Sequence, residues 1–189
     1  MSIDANAVLV VIDVQEGFRD PVWGDRDNPA AEANVAALGA GWAASGRPIV
    51  VVRHDSDRST SPLAPGQPGN DLRPEIEALP RDLLITKSVN SAFYGRPELE
   101  PWLRARGIGQ LVVVGIQTNM CVETTARMAG NLGYDTTVVL DATRTFDLTA
   151  DVAGLGTVSR SAAEIMATTA LVLQAGGFAR IATTAALAG

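Results

Sequence analysis

The sequence is poor in the residues that usually build metal centres and disulfides: 189 residues hold one cysteine, Cys121, and one histidine, His54. A single thiol can form no internal disulfide and no multi-cysteine zinc site. One imidazole among carboxylates, in Arg53-His54-Asp55-Ser56-Asp57, makes a thin metal site, so no metal and no cofactor are expected. Long basic runs are missing as well. With a net charge of -6 and a pI near 4.7, the chain offers no overall attraction to phosphate backbones or anionic lipid, which argues against nucleic acid and membranes as partners. No apolar run approaches the ~20 residues of a spanning helix. The opening Met1-Ser2-Ile3-Asp4-Ala5-Asn6 is acidic where a signal peptide is basic, so the expectation is a cytoplasmic protein. Residues 1–189 are expected to form one domain, since that length suits a single α/β core and is short for two.

What is present is an alternation of short apolar runs and helical segments. Ala7-Val8-Leu9-Val10-Val11-Ile12, ended by Asp13, predicts a strand buried on both faces of a parallel sheet. An Ala-rich segment over 30–45, stopped by Gly46, predicts a helix, and Pro48 to Arg53 a second strand. His54 to Asp71 carries Ser61, Pro62, Pro65, Gly66, Pro68 and Gly69 and reads as a long irregular loop, of the kind that tends to carry function. Strands are further predicted at Leu83 to Lys87, Gln110 to Gly115 and Thr136 to Leu140, with a last one from Phe178 to Ala182. Helices are predicted at Glu98 to Arg106, Asn119 to Leu132 and Ser159 to Gln174, and the tail from Ala182 is expected to fray. Such alternation specifies a three-layer α/β/α fold around a mostly parallel sheet.

Ligands of these sheets bind at the carboxyl ends of the strands. Three residues reach that edge: Asp13 after the first strand, Lys87 at the end of the third and Cys121 just past the fourth. Each has an ordinary explanation. A lone free cysteine is as a rule a small buried hydrophobe, a strand-ending Asp commonly caps a turn, and a Lys closing a short strand is commonly a solvated end. Their convergence outweighs those separate readings. Thr118 or Asn119 is expected to cap the helix, placing Cys121 in its first turn, where free N–H groups and a nearby cation favour thiolate. Lys87 supplies the cation, and Asp13 a carboxylate able to take the thiol proton and return it to a leaving amine. The same turn offers N–H groups to an oxyanion. Phe18, Trp23, Phe93, Tyr94 and Phe146 are candidate aromatic walls by position, although each serves equally well as core. His54 and Asn119 are the polar candidates for substrate contact. Arg96 is expected to be a solvated side chain.

The segments Val8-Leu9-Val10-Val11-Ile12-Asp13-Val14-Gln15, Lys87-Ser88-Val89-Asn90-Ser91-Ala92-Phe93-Tyr94-Gly95, Gly115 to Arg127 and Asp141-Ala142-Thr143 follow one another in a familiar order. Through them the chain resembles the isochorismatase-like cysteine hydrolases, the family that includes nicotinamidases, N-carbamoylsarcosine amidases and streptothricin hydrolases. The resemblance implies a sheet ordered 3-2-1-4-5-6 and an Asp13-Lys87-Cys121 triad working through a thioester. It also implies a non-proline cis peptide at Ile116-Gln117, with the N–H groups of Gln117 and Cys121 forming the oxyanion hole. That strand order sets Lys87 two strands from Asp13, roughly 10 Å at ~4.8 Å per strand, which a long side chain spans. Family members are commonly homodimers or homotetramers, and the same is expected here. Arg53-His54-Asp55-Ser56, the Pro/Gly loop and Gln117-Thr118-Asn119 look closest to the streptothricin-hydrolase-like branch.

The expected activity is therefore metal-independent cleavage of a C–N bond in a small amide, carbamoyl compound or cyclic amide. The alternatives are a nicotinamidase-like deamidase, a non-catalytic small-molecule binder of the same fold, and a thiol redox protein. All need Cys121 at the helix start, but only the hydrolases need Asp13 and Lys87 within its reach.

Overall fold

In a computed structural model, which describes residues 2–187, six strands form one sheet. They are β1 (Val8–Ile12), β2 (Ile49–His54), β3 (Leu83–Lys87), β4 (Gln110–Ile116), β5 (Asp135–Arg144) and β8 (Arg180–Ala182), while β6 (Leu148–Val152) and β7 (Gly156–Arg160) pair separately. Their order is β3-β2-β1-β4-β5-β8 and every pairing is parallel. This is the expected arrangement. β1 and β4 are buried at every position because helices cover both faces, which is why their sequences run apolar without alternation. One face packs Val8, Val10 and Ile12 with Leu99, Leu103, Val122 and Leu173. The other packs Leu9 and Val11 with Val35, Leu38 and Trp42.

The helices are α1 (Ala31–Ala44), a short α2 (Pro74–Glu77), α3 (Leu99–Ala105), α4 (Glu123–Asn131), α5 (Ala162–Ala175) and a last turn α6 (Thr184–Leu187). Several boundaries differ from the sequence expectation. β5 continues past Leu140 to Arg144, because its polar residues find tertiary partners: Asp141 accepts from Thr184 at 2.7 Å, and Arg144 meets the buried Glu32, which Arg73 also contacts at 2.6 Å. The Asp141 bond also orders the expected fraying tail into α6, while residues 188 and 189 lie outside the described residues.

An antiparallel hairpin, β6 (Leu148–Val152) and β7 (Gly156–Arg160), stands where the sequence showed no strand. It turns at Gly154 and Gly156, both with positive φ, and so delays α5 until Ser161, which closes a capping box with Glu164. Both hairpin strands are almost wholly exposed, which removes the apolar alternation that would have announced them.

One glycine controls the site edge. Gly115 has φ +119°, and a Cβ there would stand 2.0 Å from the Ile12 carbonyl oxygen, so only glycine lets β4 pass β1 this closely before the chain turns toward Cys121.

Candidate active site

Asp13, Lys87 and Cys121 meet at the carboxyl edge of the sheet. Asp13 ends β1 in the left-handed region, φ 52°, a conformation Asp tolerates better than most residues and which stores strain on the order of 1–3 kcal/mol. Lys87 ends β3 in register with His54 of β2 and reaches across that strand. Its base is pinned by reciprocal backbone bonds of 2.8 Å between Thr86 and Arg96. The Lys87 ammonium donates to Asp13 Oδ2 at 2.5 Å and to Cys121 Sγ at 3.3 Å, with neither the Lys87 nor the Asp13 side chain exposed. Asp13 Oδ1 is buried and unpartnered among the described residues.

Cys121 does not sit in an α-helical first turn. Thr118–Val122 forms a π turn, and α4 begins only after it. Neither Thr118 nor Asn119 caps: Thr118 donates to Thr143 Oγ1 at 2.9 Å and Asn119 accepts from Thr145 at 2.5 Å, so both tie the nucleophile turn to the end of β5. The Ile116-Gln117 peptide is cis, as the resemblance implies.

Electrostatics also differ from expectation. Burial, and next the Asp13 charge, push the Cys121 thiol up rather than down, outweighing Lys87. The resting group is a thiol and needs a base. Burial also pushes the Asp13 carboxyl above its ordinary range, with Lys87 opposing. Burial disfavours the Lys87 ammonium, but the Asp13 carboxylate and the contact with Cys121 outweigh it and the net shift is upward. A carboxylate of raised basicity beside a protonated thiol is an arrangement for proton transfer.

Asp13, His54 and Cys121 each offer one potential metal-ligand atom, all within 4.8 Å of one another. The Lys87 ammonium contacts all three, at 2.5, 3.2 and 3.3 Å, so a dication at their centre would be pressed against a fixed positive charge. This donor set fits a lysine-centred cluster and not a metal. The chain's one lysine thus contacts both its one histidine and its one cysteine.

A cavity of about 430 Å³ opens onto Cys121 and Gln117. Of the residues anticipated for its walls, Phe18, Trp23, His54 and Phe146 line it. The three rings pack on one another into one aromatic wall, with the centroid of Trp23 5.0 Å from that of Phe18 and 5.8 Å from that of Phe146. Phe93 and Tyr94 are not brought to it: Phe93 packs in the core with Tyr134, ring centroids 6.1 Å apart, and Tyr94 faces outward at 70% exposure. Asn119 is absent from the lining because Thr145 holds its side chain. Arg96 is exposed and paired with Glu98. Arg58, Leu63, Asn90, Met120 and Leu148 complete the lining. Leu148 comes from the unforeseen hairpin, and Arg58 and Leu63 from the long loop, so no local pattern marked them.

Sequence reasoning assigned Gln15 no role. Its buried amide accepts from the His54 N–H at 2.8 Å and donates to the carbonyls of His54 and Asn70 at 3.0 and 2.8 Å, locking β1, β2 and the long loop together. Gln15→Leu strands these groups and is expected to lower unfolding stability by about 2–4 kcal/mol in urea titration; a change under about 0.5 kcal/mol would refute the lock.

An isochorismatase domain model matches residues 7–170. The isochorismatase family protein YrdC of Bacillus subtilis is 36% identical over 146 residues, 77% of this chain and 78% of that one. An isochorismatase-family protein from Chromobacterium violaceum superposes with a TM-score of 0.89 at 39% identity, covering 99% of this chain and 94% of that chain. The chain belongs to the isochorismatase family, a family of hydrolases. Ureidoacrylate amidohydrolase RutB of Caulobacter segnis is 46% identical over a shorter stretch of 81 residues, 43% of this chain and 34% of that one.

Proposed function

We propose that this protein is a metal-independent cysteine amidohydrolase that cleaves a C–N bond of a small amide, carbamoyl or cyclic-amide substrate. The observation that carries the reading is the buried Asp13 Oδ1, unpartnered among the described residues, next to a thiol whose proton is held tightly, with Lys87 bridging Asp13 and Cys121. Asp13 takes the Cys121 proton, and the thiolate attacks the carbonyl carbon. The oxyanion lies against the N–H groups of Gln117 and Cys121. Asp13 returns the proton to the nitrogen as the C–N bond breaks, leaving a thioester. Water, deprotonated by Asp13, then attacks the thioester, and the acid leaves as the thiol reforms. Lys87 holds the carboxylate in place and stabilises the transient thiolate.

The aromatic wall offers a face to a flat substrate, and the local likeness to an amidohydrolase of ureidoacrylate favours the carbamoyl compounds within this class. A redox role fits less well, since a buried thiol with a raised pKa is a slow target for oxidants.

The test is a screen of nicotinamide, carbamoyl compounds and lactams, read by ammonia release and mass spectrometry. An acyl adduct on the single cysteine is the expected result; turnover with no adduct under acid quench would count against the thioester. Prolonged chelator treatment is expected to leave turnover within twofold, and a marked loss restored by added zinc would contradict the lysine-centred site.

A further inference from the structure

The Lys87 ammonium has three protons, and the structure shows three acceptors for them: Asp13 Oδ2 at 2.5 Å, Cys121 Sγ at 3.3 Å and His54 Nδ1 at 3.2 Å. For the third bond to exist, His54 Nδ1 must carry a lone pair, so the imidazole is neutral with its proton on Nε2. That Nε2–H has no hydrogen-bond partner among the described residues and is not buried, and His54 lines the cavity over Cys121. The backbone that carries the ring is fixed. Gln15 holds the His54 backbone on both its N–H and its carbonyl, and Asn70 donates to the same carbonyl at 3.0 Å.

We propose that His54 is a positioning and substrate-binding residue: Nδ1 anchors the Lys87 ammonium, and Nε2–H donates a hydrogen bond into the pocket to a second acceptor atom of the substrate, beside the scissile carbonyl. The substrate class this selects is an amide whose neighbouring group also accepts, such as the second carbonyl of an imide or an acylurea. The substrate half rests on the amidohydrolase reading; the tautomer half does not. Charge around the ring agrees with a neutral imidazole. Burial and then Lys87 hold the His54 pKa below its ordinary value against the opposing pull of Asp13, Asp55 and Asp57, while Arg58 lines the same cavity.

Because His54 is the only histidine, its two imidazole nitrogen-15 signals need no assignment by mutation. Long-range proton–nitrogen spectra of the protein as purified are expected to show the Nε2–H form, neutral at pH 6.5. A dominant Nδ1–H form, an imidazolium at pH 7 or stoichiometric bound metal overturns the proposal.

Two substitutions then separate the two jobs. His54→Asn places an amide oxygen near the Nδ1 position but lacks a donor at the reach of Nε2, so KM for an acceptor-bearing amide is expected to rise about 3- to 10-fold with kcat kept. His54→Gln restores the donor and loses the anchor, so kcat is expected to fall about 10- to 100-fold with KM kept. Wild-type kcat and KM in both variants would overturn the role in turnover. If the nitrogen spectra match expectation and no amide is turned over, the anchoring of Lys87 is supported and the amidohydrolase reading is what fails.

Discussion

Cys121→Ala is expected to fold and to lose turnover by at least about 10⁴-fold, the scale on which removal of a covalent nucleophile acts. Folding should survive, because the side chain is small and 7% exposed, and removing one sulfur from a packed site costs about 1–2 kcal/mol. The measurement is ammonia release at saturating amide, with circular dichroism to confirm the fold. Retention of activity within tenfold would remove the thiol from the mechanism. The same residue makes a second, kinetic statement. Since its pKa is raised by burial and by Asp13, alkylation by iodoacetamide at pH 8 is expected to be slower than that of free cysteine. A site that alkylates faster would instead hold a resting thiolate, and Asp13 would not be needed as the base.

Lys87→Met is expected to abolish activity as completely and, in contrast, to change how stability depends on pH. In the native protein the raised pKa of Lys87 means that its pairing contributes stability fully present below about 10.5, its ordinary value, and lost only as pH rises through the folded value above it. In the variant the buried Asp13 loses its cation. Its carboxyl, already raised by burial, is pushed further up, and breaking a buried pair in this way costs about 3–5 kcal/mol at neutral pH. The folded variant then binds a proton that the unfolded chain does not. Its stability must therefore fall as pH rises from the ordinary Asp range through the folded value. Urea titrations at pH 5 and pH 8 are expected to show the variant closer to wild type at pH 5. An equal deficit at both would mean that Asp13 does not depend on Lys87. With its carboxyl pushed further up, Asp13 is held more as the acid and is a poorer acceptor of the Cys121 proton, which links the stability result to the kinetic one.

Much of this architecture was legible in the residues because parallel strands buried on both faces leave an unmistakable trace. Val8 to Ile12 and Leu111 to Val114 are apolar at every position, and the order of the sheet followed once the motifs were recognised. Asp13 and Lys87 were found because each is a charge at the end of such a run, and Cys121 because it is alone. What was missed has no local signal. The β6–β7 hairpin is solvated on both faces, β5 extends through Asp141 and Arg144 only because Thr184 and Glu32 meet them, and Leu148 enters the pocket from that same unforeseen region.

Taken alone, the sequence determined which residues reach the sheet edge, because a strand's end and a chain's only cysteine, histidine or lysine are properties of order along the chain. The tertiary structure decided their chemical state. Whether Cys121 rests as thiol or thiolate depends on how much water surrounds it and how near Asp13 lies, and burial reversed the bias that position in the chain had suggested. It also decided which aromatics wall the pocket, sending Phe93 to the core and packing Phe18, Trp23 and Phe146 together along one side of the cavity. Desolvation and packing are sums over neighbours distant in sequence, and only the folded chain supplies those neighbours.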